Sequence, residues 1–229
     1  ANFNINGPAS PIWEYPSWGT KIRDTNTPEF VWKSATGANS YEIQIGEDNL
    51  FENYIIDAIV IEYDTTYSAE IPLPQNFLYW RVRSRNVDEI WGTWSGSIQF
   101  TITGTIPPEL TFPIGESLSI QPTFEWEYVD TIPVQQFEIQ VDNNPLNEYD
   151  EFPSPELTHE LAGLFTAYTS EDSLKSGENF WRMRSMNEVG YWGEWSGVES
   201  FFMVGPYPPE LLLPAEGDTV RHLPEFSWN

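Results

Sequence analysis

Residues 80–86 read Trp80-Arg81-Val82-Arg83-Ser84-Arg85-Asn86, followed at 91–96 by Trp91-Gly92-Thr93-Trp94-Ser95-Gly96. The same two runs return 101 residues later as Trp181-Arg182-Met183-Arg184-Ser185-Met186-Asn187 and Trp192-Gly193-Glu194-Trp195-Ser196-Gly197. Within each copy Trp and Val or Met alternate with Arg, a period of two, which is the mark of a strand with one buried and one wet face. The chain is therefore a repeat of β-rich units, and its fold is decided by how far that repeat extends.

It extends over nearly everything. Phe30-Val31-Trp32 matches Phe124-Glu125-Trp126 at an offset of 94, and Tyr41-Glu42-Ile43-Gln44-Ile45 matches Phe137-Glu138-Ile139-Gln140-Val141 at 96. Pro107-Pro108-Glu109-Leu110 matches Pro208-Pro209-Glu210-Leu211 at 101. The second copy is thus seven residues longer, and the Pro- and acid-rich stretch 142–178 is where the extra residues are expected. A third copy opens at Pro206 and reaches Pro224-Glu225-Phe226-Ser227-Trp228. Two strands of a sandwich cannot bury a face alone; the expectation is a segment of a longer array, or a tail that pairs with another molecule. Short alternating strands, Pro/Gly/Asn/Asp turns, about 100 residues per unit and no amphipathic helix predict an all-β chain of tandem antiparallel sandwiches. The units are expected at 1–105, 106–205 and 206–229, joined semi-rigidly by Thr103-Gly104-Thr105-Ile106-Pro107-Pro108.

Composition narrows function. Against 10 Lys+Arg stand 35 Asp+Glu, a net charge of −25, so nucleic acid would be repelled. No apolar run is long enough to span a membrane, so membrane insertion is not expected. There is no cysteine among the 229 residues, which removes disulfides, thiolate nucleophiles and Cys-based metal sites. The aromatics are too many for a disordered acidic coil. No nucleophile elbow, phosphate loop or His-Glu-x-x-His is present, and the two histidines, His159 and His222, have no counterparts in the first copy. A catalyst is not expected.

Pro-x-Phe-x-Trp, Tyr-Glu-Ile-Gln-Ile, Tyr-Trp-Arg-Val-Arg-Ser and Trp-Gly-x-Trp-Ser together resemble the fibronectin type III-like repeats of large secreted and cell-surface microbial proteins. The resemblance implies tandem immunoglobulin-like (fibronectin type III-like) sandwiches of seven strands, acting as spacer, adhesive or assembly modules. It also implies a corner in which a tyrosine hydroxyl ties down the chain near a leucine six residues upstream: Leu73 and Tyr79 fit, whereas Leu174 is followed by Phe180. The function so implied is a non-enzymatic extracellular structural module, part of an array forming a cell-surface stalk, filament or layer. Its partners are neighbouring copies or adjacent repeats. The alternative is a carbohydrate-binding or adhesive module.

Three constellations are candidates for more than scaffold. Arg81, Arg83 and Arg85, then Arg182 and Arg184, share strands followed closely by Trp91 and Trp94, or Trp192 and Trp195. Guanidinium planes can stack on indoles, and the pattern resembles the Trp-Ser-x-Trp-Ser ladder of cytokine receptors, with Gly92 and Gly193 in place of the first Ser. The open readings are a structural ladder, an anion or sugar site, and salt bridges to another molecule. Trp13, Tyr15 and Trp18 crowd the start of the first copy, where the other copies have Leu110, Phe112, Leu211 and Leu213. Local packing, an intermolecular contact and glycan stacking all remain open there. The acids Glu47-Asp48, and Asp142 with Glu148, Asp150 and Glu151, read as solvated loops, with calcium as the alternative. No cofactor is otherwise implied.

Overall fold

Eight strands form in each of the two long copies of a computed structural model that describes residues 7–60, 64–118, 121–144, 152–163, 165–205, 211–213 and 227–228. In the first they are β1 (Ile12–Tyr15), β2 (Thr20–Ile22), β3 (Glu29–Lys33), β4 (Ser40–Gly46), β5 (Tyr54–Val60), β6 (Thr66–Ser68), β7 (Phe77–Arg85) and β8 (Ile98–Ile102). The second has β9 (Glu109–Phe112), β10 (Ser117–Leu118), β11 (Thr123–Glu127), β12 (Val134–Asp142), β13 (Leu157–Ala162), β14 (Ala167–Thr169), β15 (Gly177–Asn187) and β16 (Glu199–Met203). Of the third copy, β17 (Leu211–Leu213) and β18 (Ser227–Trp228) pair antiparallel, the arrangement of β1 with β3. The side chain of Trp228 and residue His222 lie outside the described residues.

Each copy is two facing sheets, ordered β1-β3-β6 and β2-β8-β7-β4-β5 in the first, and β9-β11-β14 and β10-β16-β15-β12-β13 in the second. The antiparallel expectation holds except at one seam per copy, where β2 runs parallel to β8 and β10 runs parallel to β16. The first strand is split: β1 pairs in one sheet, the chain breaks at Pro16 or Pro113 and the left-handed Gly19 or Gly115 (φ +77 and +75), and the rest crosses to the other sheet. Such a switch, confined to two or three residues, covers an edge that would otherwise lie open.

Alternation does what period two requires. Along β7 every second residue, Leu78, Trp80, Val82 and Ser84, is buried, and the arginines between them are half-buried on the outer face. Trp32, Trp80, Trp126 and Trp181 are at most 1% exposed. The ring contacts repeat: Phe30 meets Trp80 at 5.3 Å and Phe100 at 5.5 Å, as Phe124 meets Trp181 at 4.9 Å and Phe201 at 5.7 Å. Both core indoles of β7 and β15 are tied by Nε1 to a carbonyl at the strand switch, Trp80 to Pro16 at 3.0 Å and Trp181 to Pro113 at 2.9 Å.

Two expectations change. Tyr79 shares the outer face with Arg81, because its neighbours Leu78 and Trp80 point inward; it makes no corner, and the Leu73 carbonyl instead accepts from the Tyr191 hydroxyl at 2.7 Å. The seven extra residues do not all lie beyond Asp142. Ile45 pairs with Ile56 but Val141 with Leu157, so the hairpin absorbs five, and the other two sit between Trp126 and Phe137.

Candidate functional site

On the outer face of β7 the guanidinium groups stand between aromatic rings. Arg81 lies 4.1 Å from the Phe51 ring centroid and 4.3 Å from Trp94, Arg83 lies 4.5 Å from both Trp94 and Trp91, and Arg85 lies 5.2 Å from Trp91. The stack therefore runs Phe51, Arg81, Trp94, Arg83, Trp91, Arg85. In the second copy it runs Phe152, Arg182, Trp195, Arg184, Trp192, with Arg-to-ring distances of 4.2–4.6 Å; Met186 replaces the last arginine. Each contact contributes about 0.5–2 kcal/mol, more where water is excluded.

The indoles reach this position because the segment 91–96 runs beside β7 without becoming a regular strand. Gly92 N–H donates to the Ser84 carbonyl at 2.8 Å, and Ser95 N–H to that of Val82 at 2.8 Å. The Ser95 hydroxyl oxygen accepts from the Val82 N–H at 3.0 Å; Ser196 and Met183 repeat this at 3.0 Å. Glycine stands where cytokine receptors have serine for a steric reason: a Cβ on Gly92 would overlap the Pro8 carbonyl, and one on Gly193 that of Thr105.

Four of the guanidinium groups, all but that of Arg85, are met from the neighbouring strand, β4 or β12. Arg81 donates to Gln44 Oε1 at 3.0 and 2.7 Å, and Arg83 Nε to Glu42 Oε2 at 2.7 Å. Arg182 donates to Gln140 Oε1, and Arg184 Nε to Glu138 Oε2 at 2.7 Å. Arg85 pairs with Glu89 at 3.0 Å. Glu42 and Glu138 are nearly buried; burial raises the Glu42 carboxyl above its ordinary value against the pull of Arg83, and Asp57 beside it pushes the same way. Phe51 and Phe152, absent from the sequence-based site, close the inner end of each stack. They were findable, since the 101-residue offset carries one onto the other.

The three aromatics at the start of the chain differ in exposure. Trp13 pairs with Trp32 across β1 and β3 and packs on the core. Tyr15, 42% exposed, precedes a cis proline as Phe112 does in the second copy, so it has a counterpart after all. Trp18, 65% exposed, is left standing out. Among the acids, Asp48 accepts backbone N–H groups of Leu50, Glu52 and Asn53 at 2.8–3.3 Å, which hold its carboxyl below the ordinary range and fold the hairpin. Asp142 accepts from Asn144 N–H; Glu148, Asp150 and Glu151 lie outside the described residues. Among the described residues no group of three His, Asp or Glu is placed to hold a metal ion. His159 stacks on Tyr168 at 4.4 Å.

A cleft of about 260 Å³ lies beside the linker, lined by Lys21, Arg23, Gly104, Ile106 and Glu194 among others. In the loop after β11 that carries Asp130, Tyr128 donates to the Ile132 carbonyl, and burial, then the Asp130 charge, push its hydroxyl up to about 12. An unfolded phenol titrates near 10, so the stability this gives is present below about pH 10 and lost as pH rises through about 12. Burial raises Tyr15, Tyr67 and Tyr168 as well. Denaturation midpoints between about pH 9 and 11.5 should fall, and fall less in Tyr128→Phe; equal slopes would remove Tyr128 as a cause.

No family model and no curated protein matches the chain. Among solved structures, a segment of two fibronectin type III domains from chicken tenascin is 9% identical, with 84% of this chain and 98% of that one covered and a TM-score of 0.39. The chicken CNTN1 FN1–FN3 domains are 14% identical, with coverage of 85% and 68% and a TM-score of 0.36. A Fn3-like protein from Clostridium thermocellum is 17% identical, with coverage of 42% and 91% and a TM-score of 0.32. The fold of both sandwiches is fibronectin type III-like. In each a three-stranded sheet faces a five-stranded one, with the strands in the same order in both copies.

Proposed function

We propose that the chain is a non-enzymatic extracellular structural module, part of a repeat array that forms a cell-surface stalk, filament or layer. The observation that carries this reading is the ladder built twice. The groups that look most available for chemistry, five arginines and four tryptophans, are spent on one another, on Gln and Glu of the adjacent strand and, for Arg85, on Glu89. They brace a sheet from outside, as a unit repeated in series needs. Among the described residues no helix is long and apolar enough to cross a membrane.

The partners in this reading are neighbouring copies or adjacent repeats. A charge of −25 opposes side-by-side contact unless ions screen it, so association should strengthen with salt or divalent cations. Sedimentation and electron microscopy of the native, uncut protein test this. Strictly monomeric particles at high salt and millimolar calcium would remove the assembly role and leave a spacer. The exposure of Trp18 and Tyr15 favours a second reading, adhesion by stacking on sugar rings. Glycan-array binding lost in Trp18→Ala would support it.

A further inference from the structure

The two sandwiches meet through side chains most of which the repeat does not share. Arg23 Nη1 donates to Asp130 Oδ2 at 2.9 Å, and the Asp130 side chain is only 3% exposed. The same Oδ2 accepts from the Ile106 N–H of the linker at 3.0 Å, and Asn187 Nδ2 donates to the Arg23 carbonyl at 2.7 Å. Elsewhere around the linker, Tyr191 donates to the Leu73 carbonyl at 2.7 Å and Gln75 Nε2 to that of Trp192 at 2.6 Å. Lys21 Nζ lies 3.2 Å from Glu194 on the exposed rim. The Tyr191 ring packs on the core of the first sandwich although it belongs to the second.

The linker is held in the same way. Thr105 is 3% exposed, and its hydroxyl lies 2.8 Å from the Ser185 carbonyl and 2.6 Å from the Ser185 hydroxyl. A Cβ on Gly104 would overlap the backbone of Tyr191 and Trp192. Relative motion is the default for tandem domains whose interface is small and polar. Here contacts from β2, from the turn before β7 and from the linker itself converge on a single face, so that hinge bending and twisting each break a different set.

We propose that these faces form a keyed joint, in which a cationic tail face of the first sandwich fits an acidic head face of the second and fixes the pair as one rod. The key is legible in what the other two end faces lack. At the tail of the second sandwich Ser176 replaces Gln75 and Ser117 replaces Lys21. At the head of the first, Ile90 replaces Tyr191, Thr93 replaces Glu194, and the loop 34–39 carries no carboxylate, whereas the corresponding loop of the second is two residues longer and supplies Asp130. The chemistry therefore specifies order: the first sandwich's tail is made for the second's head, and the reverse pairing has neither the charges nor the tyrosine. This deepens the structural reading and rests on it for its use, yet it is tested on single molecules, so a failure to assemble would not touch it.

The absence of native cysteine allows a clean distance measurement. Leu50→Cys and Phe165→Cys, both at exposed positions, carry one spin label on each sandwich of the full chain. The parent should give one narrow distance distribution. Arg23→Ala and Asp130→Asn should each widen it by about twofold, and together no more than the larger single effect, because they share one contact. If either variant fails to fold, Tyr191→Phe combined with Gln75→Ala removes only two hydrogen bonds and should widen it alike. A parent distribution as wide as the variants, or variants as narrow as the parent, would overturn the joint.

Discussion

Trp181→Ala should lower the stability of the second sandwich by about 3–5 kcal/mol, the range for removing a buried aromatic from a packed core. Trp181 is fully buried, meets Phe124 at 4.9 Å and ties its Nε1 to the Pro113 carbonyl at 2.9 Å. Truncation therefore opens a void against Phe124 and leaves that carbonyl without its donor where the split first strand changes sheets. A domain of this size holds about 5–15 kcal/mol in total, so most of its margin goes. Chemical denaturation followed by tryptophan fluorescence would read the loss as an early transition of the second sandwich. A single unchanged midpoint would mean that Trp181 is not a keystone of that core.

Arg184→Ala is expected to cost about 2–4 kcal/mol, well above the ~1–2 kcal/mol that stacking and stem packing alone would give. The difference lies in Glu138. Its carboxylate is 8% exposed and bonded to Arg184, and losing the guanidinium leaves a charge in a place water scarcely reaches. The companion variant Arg184→Ala with Glu138→Ala should recover part of the loss, since no orphan remains. Arg184→Lys should not rescue fully, because an ammonium cannot fill the flat slot between Trp192 and Trp195, 4.6 and 4.4 Å from the guanidinium. Should the single and double variants melt together, the ladder is held by its rings alone.

What the amino-acid sequence makes legible is what repeats. The alternation at 80–85 places Trp80 and Val82 inward and the arginines outward, and the Trp-Gly-x-Trp-Ser segment falls beside them, because both are local patterns copied 101 residues later. The acids and amides that meet the arginines were visible as the outer residues of Tyr-Glu-Ile-Gln-Ile, but register between strands fixes the partners, and one sequence does not contain it. The parallel seam of β2 with β8 was hidden because a proline and a glycine redirect three residues too short to show a period. The joint was hidden for the opposite reason. Tyr191, Asp130 and Gln75 stand where the copies differ, so a search for self-similarity passes over them. Tyr79 misled because the resemblance offered a role that its parity along β7 forbids.

The nine described basic side chains, from Lys21 to Arg184, all have partners within the molecule: five arginines in the ladders, and Lys21, Arg23, Lys33 and Lys175 in ion pairs with Glu194, Asp130, Glu14 and Glu156. With its described cations paired within the molecule, the rod meets its surroundings as a polyanion. Many such rods anchored close together would behave as a charged brush. Counterion pressure would hold neighbours apart and upright at low ionic strength, and the spacing would shrink as the screening length falls from about 30 Å at 0.01 M salt to about 8 Å at 0.15 M.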